Sequence, residues 1–255
     1  MTMKLLLIAG HGAGDPGAVS GVFQEAVETR RVVGALVRLL KGYCDVTQYP
    51  PTRNAFSDFR TGQLNKQVQL SDFDYVLEIH FNASAPGPKD GKTKGVEIFV
   101  PTGATETAAE EQICRAVAAV GLTNRGLKRY NWAVINAAHR AGVRSALLEV
   151  CFIDDPDDML VYTTKFDAVT QAIADAIITQ FSLKKEEKPV TYEEFAAFMD
   201  RYLTNRAKLA PSAWSNEARA WAEKANIVQC GSDGEKKYQS FVTREELVQM
   251  LFRSK

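Results

Sequence analysis

The three histidines of the chain limit where imidazole chemistry can take place. His11 follows the short apolar run Leu5–Ile8, and His80 directly follows the apolar run Tyr75–Ile79. Such runs are typical of buried strands, and the carboxyl ends of parallel strands meet at one edge of a sheet, where α/β proteins place their sites. Zinc binds imidazole nitrogens and carboxylates, and a catalytic zinc keeps one position for water. The sequence therefore predicts a metal site that contains His11 and His80.

A third ligand is expected from an element close to His11. Glu25 and Glu28 lie at the start of the helix that the pattern predicts after the first strand, and either can turn back toward His11. Glu149 lies in another apolar run, Ala146–Val150, where a carboxylate without a partner is costly. A water molecule on the metal would be such a partner. Residue types and spacing leave the choice between Glu25 and Glu28 open.

Apolar runs alternate with helical patterns through residues 1–183. Strands are predicted at Leu5–Ile8, Asp45–Tyr49, Tyr75–Ile79, Gly95–Val100 and Ser145–Val150. Helices are predicted at Glu25–Leu40, Thr105–Val120 and Phe166–Phe181. Strands that alternate with helices of this length indicate an α/β fold, with a mostly parallel twisted sheet flanked by helices.

The character of the chain changes at residues 184–190, where charged residues and a proline predict a linker. Residues 191–255 predict a small all-α domain after the larger domain at 1–183. Its helices are predicted at Thr191–Leu203, Asn216–Ala225 and Thr243–Arg253. Thr191 and Thr243 are each followed three residues later by glutamate, which is the capping-box signature of a helix start.

Composition disfavours several classes of partner. The chain has 31 basic and 31 acidic residues, and this balance argues against nucleic acid or membrane lipid as an electrostatic target. No segment approaches the ~20 apolar residues of a membrane span. The apolar run Leu5–Ala9 is too short for a signal peptide, so none is expected. Four widely spaced cysteines are typical of buried thiols in a reducing compartment: Cys44, Cys114, Cys151 and Cys230.

Four motifs follow one another in the first domain: Gly10–Ala18, Glu78–Ala83, Asn124–Gly126, and Leu147–Asp155 followed by Asp158. Together they resemble the zinc-dependent N-acetylmuramoyl-L-alanine amidases of the amidase 3 type. Glu25 matches the glutamate ligand that opens the next helix in that family, and Asn124–Gly126 matches a recurrent turn. The resemblance covers residues 3 to 182 and keeps the family's motif order, which makes it far more specific than any single motif.

The resemblance implies one zinc ion per chain, with ligands His11, Glu25 and His80. It also implies that Glu149 is not a ligand but the catalytic acid/base, which takes a proton from water and passes it to the leaving amine. The implied substrate is peptidoglycan, cut between N-acetylmuramic acid and L-alanine of the stem peptide. Three residues of the matching motifs are expected to contact this substrate: Asn82, Asn124 and Arg125.

Other interpretations of single residues stand beside these. A zinc site of all three histidines would include His139, but the family has no ligand there, so a surface or cleft-rim histidine is favoured. Glu149 has a structural alternative, in which it bonds to backbone amides or to Arg144. Glu78 and Glu97 alternate along predicted strands, and we expect them to support the ligands from behind or to face solvent.

The C-terminal segment carries a second resemblance. Ala218–Val228, Gly231–Gly234 and Phe241–Arg253 together resemble an S-layer homology unit, and Thr191–Tyr202 resembles the last helix of a preceding unit. The resemblance implies binding of a wall glycopolymer, with Trp221 as a stacking platform and Arg244 as a charge partner. The alternative is that these helices pack on each other or mediate assembly as a homodimer.

These features together favour a phage or prophage endolysin that stays in the host bacterial cytoplasm until release and then reaches the cell wall. The alternative enzyme is a bacterial autolytic or sporulation amidase. A non-catalytic wall-binding or assembly protein on the same fold is the alternative of a different class. The presence of all four implied site residues argues against that last interpretation.

Overall fold

The computed structural model describes residues 2–84, 90–186, 190–230, 234 and 236–254. Two compact units follow one another along the chain, Met1–Glu187 and Lys188–Lys255. Of the predicted linker, residues 187–189 lie outside the described residues, as do residues 231–233 of the S-layer-homology-like segment.

A mixed sheet forms the centre of the first unit. The described strands are, in chain order, β1 (Lys4–Ala9), β2 (Val19–Ser20), β3 (Phe23–Gln24), β4 (Asp45–Gln48), β5 (Tyr75–Asn82), β6 (Val96–Val100), β7 (Asn124–Arg129) and β8 (Arg144–Phe152). β2 and β3 pair with each other, and the other six form one sheet in the order β4-β1-β5-β8-β6-β7. Every pairing in it is parallel except that of β6 with β8. The predicted α/β class with a mostly parallel sheet is confirmed.

Helices cover both faces of this sheet. In the first unit they are α1 (Glu25–Leu40), α2 (Ala55–Arg60), α3 (Leu64–Gln67), α4 (Ala108–Ala118), α5 (Ala133–Arg140), α6 (Pro156–Thr164) and α7 (Phe166–Gln180), with a 3₁₀ turn at Leu70–Asp72. α1, α4 and α7 pack on one face, and α2, α3 and α5 pack on the other.

Successive side chains of the central strands enter two different cores because strand residues alternate between the faces of a sheet. In β1, Leu5 and Leu7 enter the core beneath α1, α4 and α7, whereas Leu6 and Ile8 enter the core beneath α2, α3 and α5. Burial on both faces explains why the strand is a continuous apolar run. The buried first strand predicted from the sequence is confirmed.

The structure adds elements that the sequence pattern did not reveal. Asn124–Arg129 forms β7, although Asn124–Gly126 was expected to form a turn. β7 lies at the edge of the sheet and pairs only with β6, and its polar, partly exposed residues carry no apolar run. The short helices α2, α5 and α6 were also missed.

The second unit consists of α8 (Tyr192–Ala207), a 3₁₀ turn at Ala213–Ser215, α9 (Asn216–Lys224) and α10 (Arg244–Arg253). Thr191 and Thr243 both form complete capping boxes, so these two predicted helix starts are confirmed. No residue of α8, α9 or α10 is buried.

Two further findings concern the described part of the chain. Cys44, Cys114 and Cys151 are buried as predicted, whereas Cys230 is exposed. None of the helices within the described ranges has the length and apolar character needed to cross a membrane.

Candidate metal centre and active site

The candidate site occupies one face of the sheet, beside the core beneath α2, α3 and α5. Glu78 and His80 are two residues apart on β5 and therefore share a face. His80 pairs in register with Glu149 of β8, which in turn pairs with Glu97 of β6. Four ionisable groups thus form a strip across three adjacent strands, next to an apolar core.

His11 reaches this strip from a constrained loop after β1. Its φ of 60° lies in the left-handed region that non-glycine residues rarely adopt. Side chains of α1 hold the loop: Thr29 donates a hydrogen bond to the carbonyl of Gly10 (3.0 Å), and Arg30 donates to the carbonyls of Gly10 and His11 (3.1 and 3.0 Å). These bonds offset a backbone strain of roughly 1–3 kcal/mol, so the position of His11 is built into the fold.

Two glycines let the loop approach the imidazole rings. A Cβ at Gly10 would lie 2.3 Å from Cε1 of His80, and a Cβ at Gly17 would lie 2.7 Å from both Glu25 and His11. Neither distance is compatible with a side chain at these positions. Gly10 and Gly17 of the first motif are therefore needed for close packing around the histidines.

Glu25, at the first residue of α1, joins the two histidines. Its Oε2 lies 3.1 Å from Nε2 of His11, and its Oε1 lies 2.8 Å from Nδ1 of His80. The backbone amides of Ala18 and Phe81 also donate to this buried carboxylate (2.9 and 3.0 Å). One ligand atom from each of His11, Glu25 and His80 lies within 4.8 Å of the others. Two imidazoles and one carboxylate are a donor set that fits zinc with room for water or substrate.

A second carboxylate lies on the far side of each imidazole. Nδ1 of His11 lies 2.8 Å from Asp15, whose Oδ2 also accepts a hydrogen bond from Asn54 (3.1 Å). Nε2 of His80 lies 3.4 Å from Oε1 of the buried Glu78. Carboxylates in this position orient metal-binding imidazoles and increase their basicity.

The electrostatics of the cluster favour positive charge at its centre. Burial raises the pKa of Glu25, but hydrogen bonds from His11 and His80 outweigh it and hold that pKa far below its ordinary value. The hydrogen bond that His11 donates to Glu25 raises the pKa of His11. Burial lowers the pKa of His80, yet hydrogen bonds to Glu25 and Glu78 hold it well above the ordinary value. A group of carboxylates that stabilises two protonated imidazoles provides the negative field that a cation requires.

Glu149 differs from the other acids of the strip. Among the residues that the structure describes, its buried Oε2 has no hydrogen-bond partner. Burial raises its pKa to about 7. Together with His11, Glu25 and His80, it lines a cleft of about 500 Å³. A shielded carboxyl that is poised between its two protonation states at neutral pH has the properties of a general acid/base.

Both carboxylate oxygens of Glu97, the neighbour of Glu149, accept hydrogen bonds. Its Oε1 accepts a hydrogen bond from Asn82 (2.6 Å), and its Oε2 accepts from Arg125 (2.6 Å) and Lys128. Asn82 therefore lines the cleft and is positioned by its hydrogen bond to Glu97. Arg125 does not line the cleft, and its contact is with Glu97. Glu97 and Glu78 are both buried and do not face solvent.

The structure separates the two candidate carboxylates of α1. Glu28 turns away from the histidines, accepting hydrogen bonds from Tyr162 (2.9 Å) and Arg31 (2.7 Å). Glu25 alone of the pair contacts His11 and His80. The geometry thus agrees with the ligand set that the family resemblance implies.

Two other interpretations receive no support from the geometry. His139 lies on α5 and lines a separate depression with Glu106 and Arg144. Arg144 pairs with the buried Glu110 (2.6 Å), so it does not hold Glu149.

One further expected contact residue of the first unit, Asn124, does not line the cleft. The side chain of Asn124 accepts hydrogen bonds from the amide of Gly126 (2.9 Å) and the thiol of Cys114 (3.1 Å). In the second unit, Trp221 lies on α9 with its ring largely exposed, and Arg244 is the first residue of α10.

Sequence reasoning missed three aromatic residues that line the cleft, namely Phe56, Tyr130 and Trp132. The signal was available, because Tyr130 and Trp132 directly follow the segment that forms β7, but β7 itself was not predicted. Without that strand, nothing in the pattern placed these rings near the histidines.

Comparisons with known proteins agree with this geometry. A family model described as N-acetylmuramoyl-L-alanine amidase, Amidase_3, matches residues 5–179. An uncharacterized protein of Clostridium perfringens is 25% identical over 195 residues, which are 75% of this chain and 56% of that protein. The chain therefore spans little more than half of that relative. The sporulation-specific N-acetylmuramoyl-L-alanine amidase of Bacillus subtilis is 25% identical over 217 residues, 83% of this chain and 80% of that protein.

A solved structure shows the same fold. The catalytic domain of CwlV, an N-acetylmuramoyl-L-alanine amidase from Bacillus (Paenibacillus) polymyxa var. colistinus, matches with a TM-score of 0.57 and 23% identity. The match covers 71% of this chain and 99% of that one. Because the family model covers more than half of the sequence, the chain belongs to the Amidase_3 family of N-acetylmuramoyl-L-alanine amidases.

Proposed function

We propose that the protein is a zinc-dependent peptidoglycan amidase that cuts the bond between N-acetylmuramic acid and L-alanine of the stem peptide. One observation carries the proposal: Oε2 of Glu149, which accepts no hydrogen bond from the residues that the structure describes, belongs to a side chain that shares a cleft with the His11–Glu25–His80 cluster. The donor set supports a divalent cation, and family membership supports the bond.

His11, Glu25 and His80 would hold the cation, with Asp15 and Glu78 orienting the two imidazoles. The donor set suits several divalent ions, and zinc is proposed because imidazole and carboxylate ligands with an open position are typical of catalytic zinc. When bound, such an ion polarises the scissile carbonyl and lowers the pKa of water toward ~7.

Glu149 moves the proton in this proposal. Its Oε2 accepts a proton from the attacking water and then donates it to the leaving amine of L-alanine. Burial raises the pKa of this carboxyl, which favours its uptake of a proton from water. The lack of a competing hydrogen bond leaves this oxygen available for water.

Isolated Gram-positive cell walls test the reaction. The full chain is incubated with walls, with and without a chelator, and new amino ends and new reducing ends are both measured. We expect free L-alanine amino ends that the chelator abolishes and added zinc restores. New reducing sugar ends would indicate a glycosidase, and tight wall binding without any release would support a non-catalytic binding protein.

The second unit has a proposed role of its own. In the proposed division, residues 1–183 form the catalytic domain, 184–190 the linker and 191–255 a cell-wall-binding domain, in which Trp221 and Arg244 contact a wall glycopolymer. The exposed ring of Trp221 supports this role. A chain that ends after Lys185 is expected to pellet less with walls. If pelleting is unchanged but the mass in solution is halved, the unit mediates homodimer assembly instead.

Two biological settings fit such an enzyme. One is a phage or prophage endolysin, and the other is a bacterial autolytic or sporulation amidase. The similarity to a sporulation-specific amidase favours the second setting. The time at which the gene is transcribed distinguishes the two settings. Transcription during sporulation would support the bacterial amidase, and induction together with phage genes would support the endolysin.

A further inference from the structure

Tyr130 and Trp132 form an aromatic wall at the cleft that contains the candidate metal ligands. Their ring centroids are 4.7 Å apart and their planes are tilted by 56°, and both residues line the cleft beside His80 and Glu149. Tyr130 remains 55% exposed and Trp132 remains 42% exposed. The proposed catalytic steps use neither ring, so the wall is available for another role.

The loop that carries the wall is firmly anchored. The amide of Tyr130 donates to the carbonyl of Val100 at the end of β6 (2.9 Å). The side chain of Asn131 accepts from the amide of Thr102 (2.9 Å) and donates to its hydroxyl (3.0 Å). The ring of Trp132 meets Phe99 edge to face at 6.0 Å. These contacts fix the loop and leave both rings open to the cleft.

Both polar and apolar side chains line the rest of the cleft. The polar ones include His11, Asp15, Asn54 and Asn82. A ligand that fits would therefore offer a flat apolar face to one of the two tilted rings and polar groups around its edge. A pyranose ring has this form, because its axial C–H groups lie on the faces and its hydroxyl and acetamido groups lie around the rim. An aromatic face, with its negative quadrupole, attracts such polarised C–H groups.

We infer that Tyr130 and Trp132 form a saccharide subsite that stacks a sugar ring of the substrate beside the reacting bond. This inference rests on the proposed function, in which the scissile amide is attached through a lactyl group to N-acetylmuramic acid. That sugar must lie within a few atoms of the reacting carbonyl. The subsite would hold the glycan side of the bond, which leaves the stem peptide to other parts of the cleft.

Tryptophan fluorescence can test binding separately from catalysis. The chain has three tryptophans, and the other two, Trp214 and Trp221, lie in the second unit. In the full-length Trp214→Phe/Trp221→Phe variant, all tryptophan emission comes from Trp132. This variant is titrated with the peptide-free disaccharide of N-acetylglucosamine and N-acetylmuramic acid, and separately with a stem peptide that begins with L-alanine.

We expect the disaccharide, and not the peptide, to change the emission of Trp132 in a saturable manner. In the otherwise natural chain, Trp132→Ala is expected to raise KM for a soluble muramoyl peptide by about three- to tenfold, with kcat little changed. Trp132→Phe retains an aromatic face and is expected to recover most of the loss. Phe59→Ala is the matched control, because Phe59 is 41% exposed but does not line the cleft.

The outcomes separate this inference from the proposed function. If hydrolysis is absent but the disaccharide perturbs Trp132, the amidase proposal fails and the saccharide subsite stands. If hydrolysis occurs but the disaccharide leaves the emission unchanged, the subsite is overturned. A response to the peptide alone would also overturn it, since the wall would then hold the stem peptide. Zinc content and thermal unfolding of Trp132→Ala show whether a change in KM comes from the lost ring or from misfolding.

Discussion

The two units of the chain reach order by different means. The first unit has apolar cores on both faces of a sheet, and its buried acids Glu25, Glu78 and Glu97 each have a defined partner. The helices α8, α9 and α10 of the second unit bury no residue and show exposed aromatic and aliphatic side chains. In the first unit the framework and the candidate site are therefore one network, whereas the second combines capping boxes with polar contacts between its segments, such as the hydrogen bond from Arg206 to the carbonyl of Gln239.

The largest expected difference concerns metal. His80→Ala removes a ligand from the cluster, and we expect it to abolish stoichiometric zinc binding and the thermal stabilisation that added zinc gives the natural chain. His139→Ala is the matched control, because it removes the same side chain from α5 in the same unit. Metal analysis after dialysis and thermal unfolding with and without zinc measure both effects. Equal zinc loss in the two variants would remove His80 from the site.

Core packing gives the next largest difference. Leu77 is fully buried in β5, and Leu77→Ala is expected to lower the free energy of unfolding by about 2–5 kcal/mol, since it leaves a cavity. Leu251→Ala changes an exposed residue of α10 and is expected to cost less than about 1 kcal/mol. Denaturant unfolding followed by circular dichroism measures both. A comparable loss in Leu251→Ala would show that the face of α10 is covered in solution.

Removing a carboxylate that contacts a metal-binding histidine is expected to have a smaller effect on zinc binding than removing the histidine. Glu78→Gln removes the charge next to His80, and we expect zinc affinity to fall by about 10- to 100-fold. Glu28→Gln is the control, because Glu28 is equally buried but contacts Tyr162 and Arg31. Competition with a zinc-binding dye measures the affinities. If Glu28→Gln weakens binding as much as Glu78→Gln does, the loss reflects general destabilisation.

The smallest expected effect is that of a helix cap in the second unit. Thr243→Ala removes the hydroxyl that accepts a hydrogen bond from the backbone amide of Glu246. We therefore expect α10 to lose about 1 kcal/mol of stability. Thr243→Ser retains the cap and should behave as the natural chain does. Helical circular dichroism during thermal unfolding reports the loss, while zinc binding is expected to stay unchanged. A change in zinc binding would show that the units are energetically coupled.

The predictability of the fold follows the same division. Buried strands such as β1 are continuous apolar runs, and such a run shows directly where the strand lies. The run Leu5–Ile8 predicted β1 in this way. The edge strand β7 has no such run because one side of it meets solvent, so Asn124–Arg129 was expected to begin with a turn. Capping boxes are local in sequence, and both were therefore visible at Thr191 and Thr243.

The candidate site was predictable where strand ends imply proximity. His11 and His80 follow from that logic, and the family resemblance selected Glu25 over Glu28. The sequence alone could not show that Glu28 turns toward Tyr162, because that contact joins residues 134 positions apart. The aromatic wall of Tyr130 and Trp132 was missed for the same reason, since its place beside the histidines depends on the pairing of β7 with β6.

In the proposed mechanism three residues hold the metal while Glu149 moves the proton, and the Glu149→Gln variant separates the two roles. Zinc content per chain and the release of L-alanine amino ends from walls are measured on the same preparation. We predict about one zinc per chain, as in the natural chain, with the rate of release lowered at least ~100-fold. Loss of zinc together with activity would make Glu149 a ligand, and full activity would remove it from the reaction.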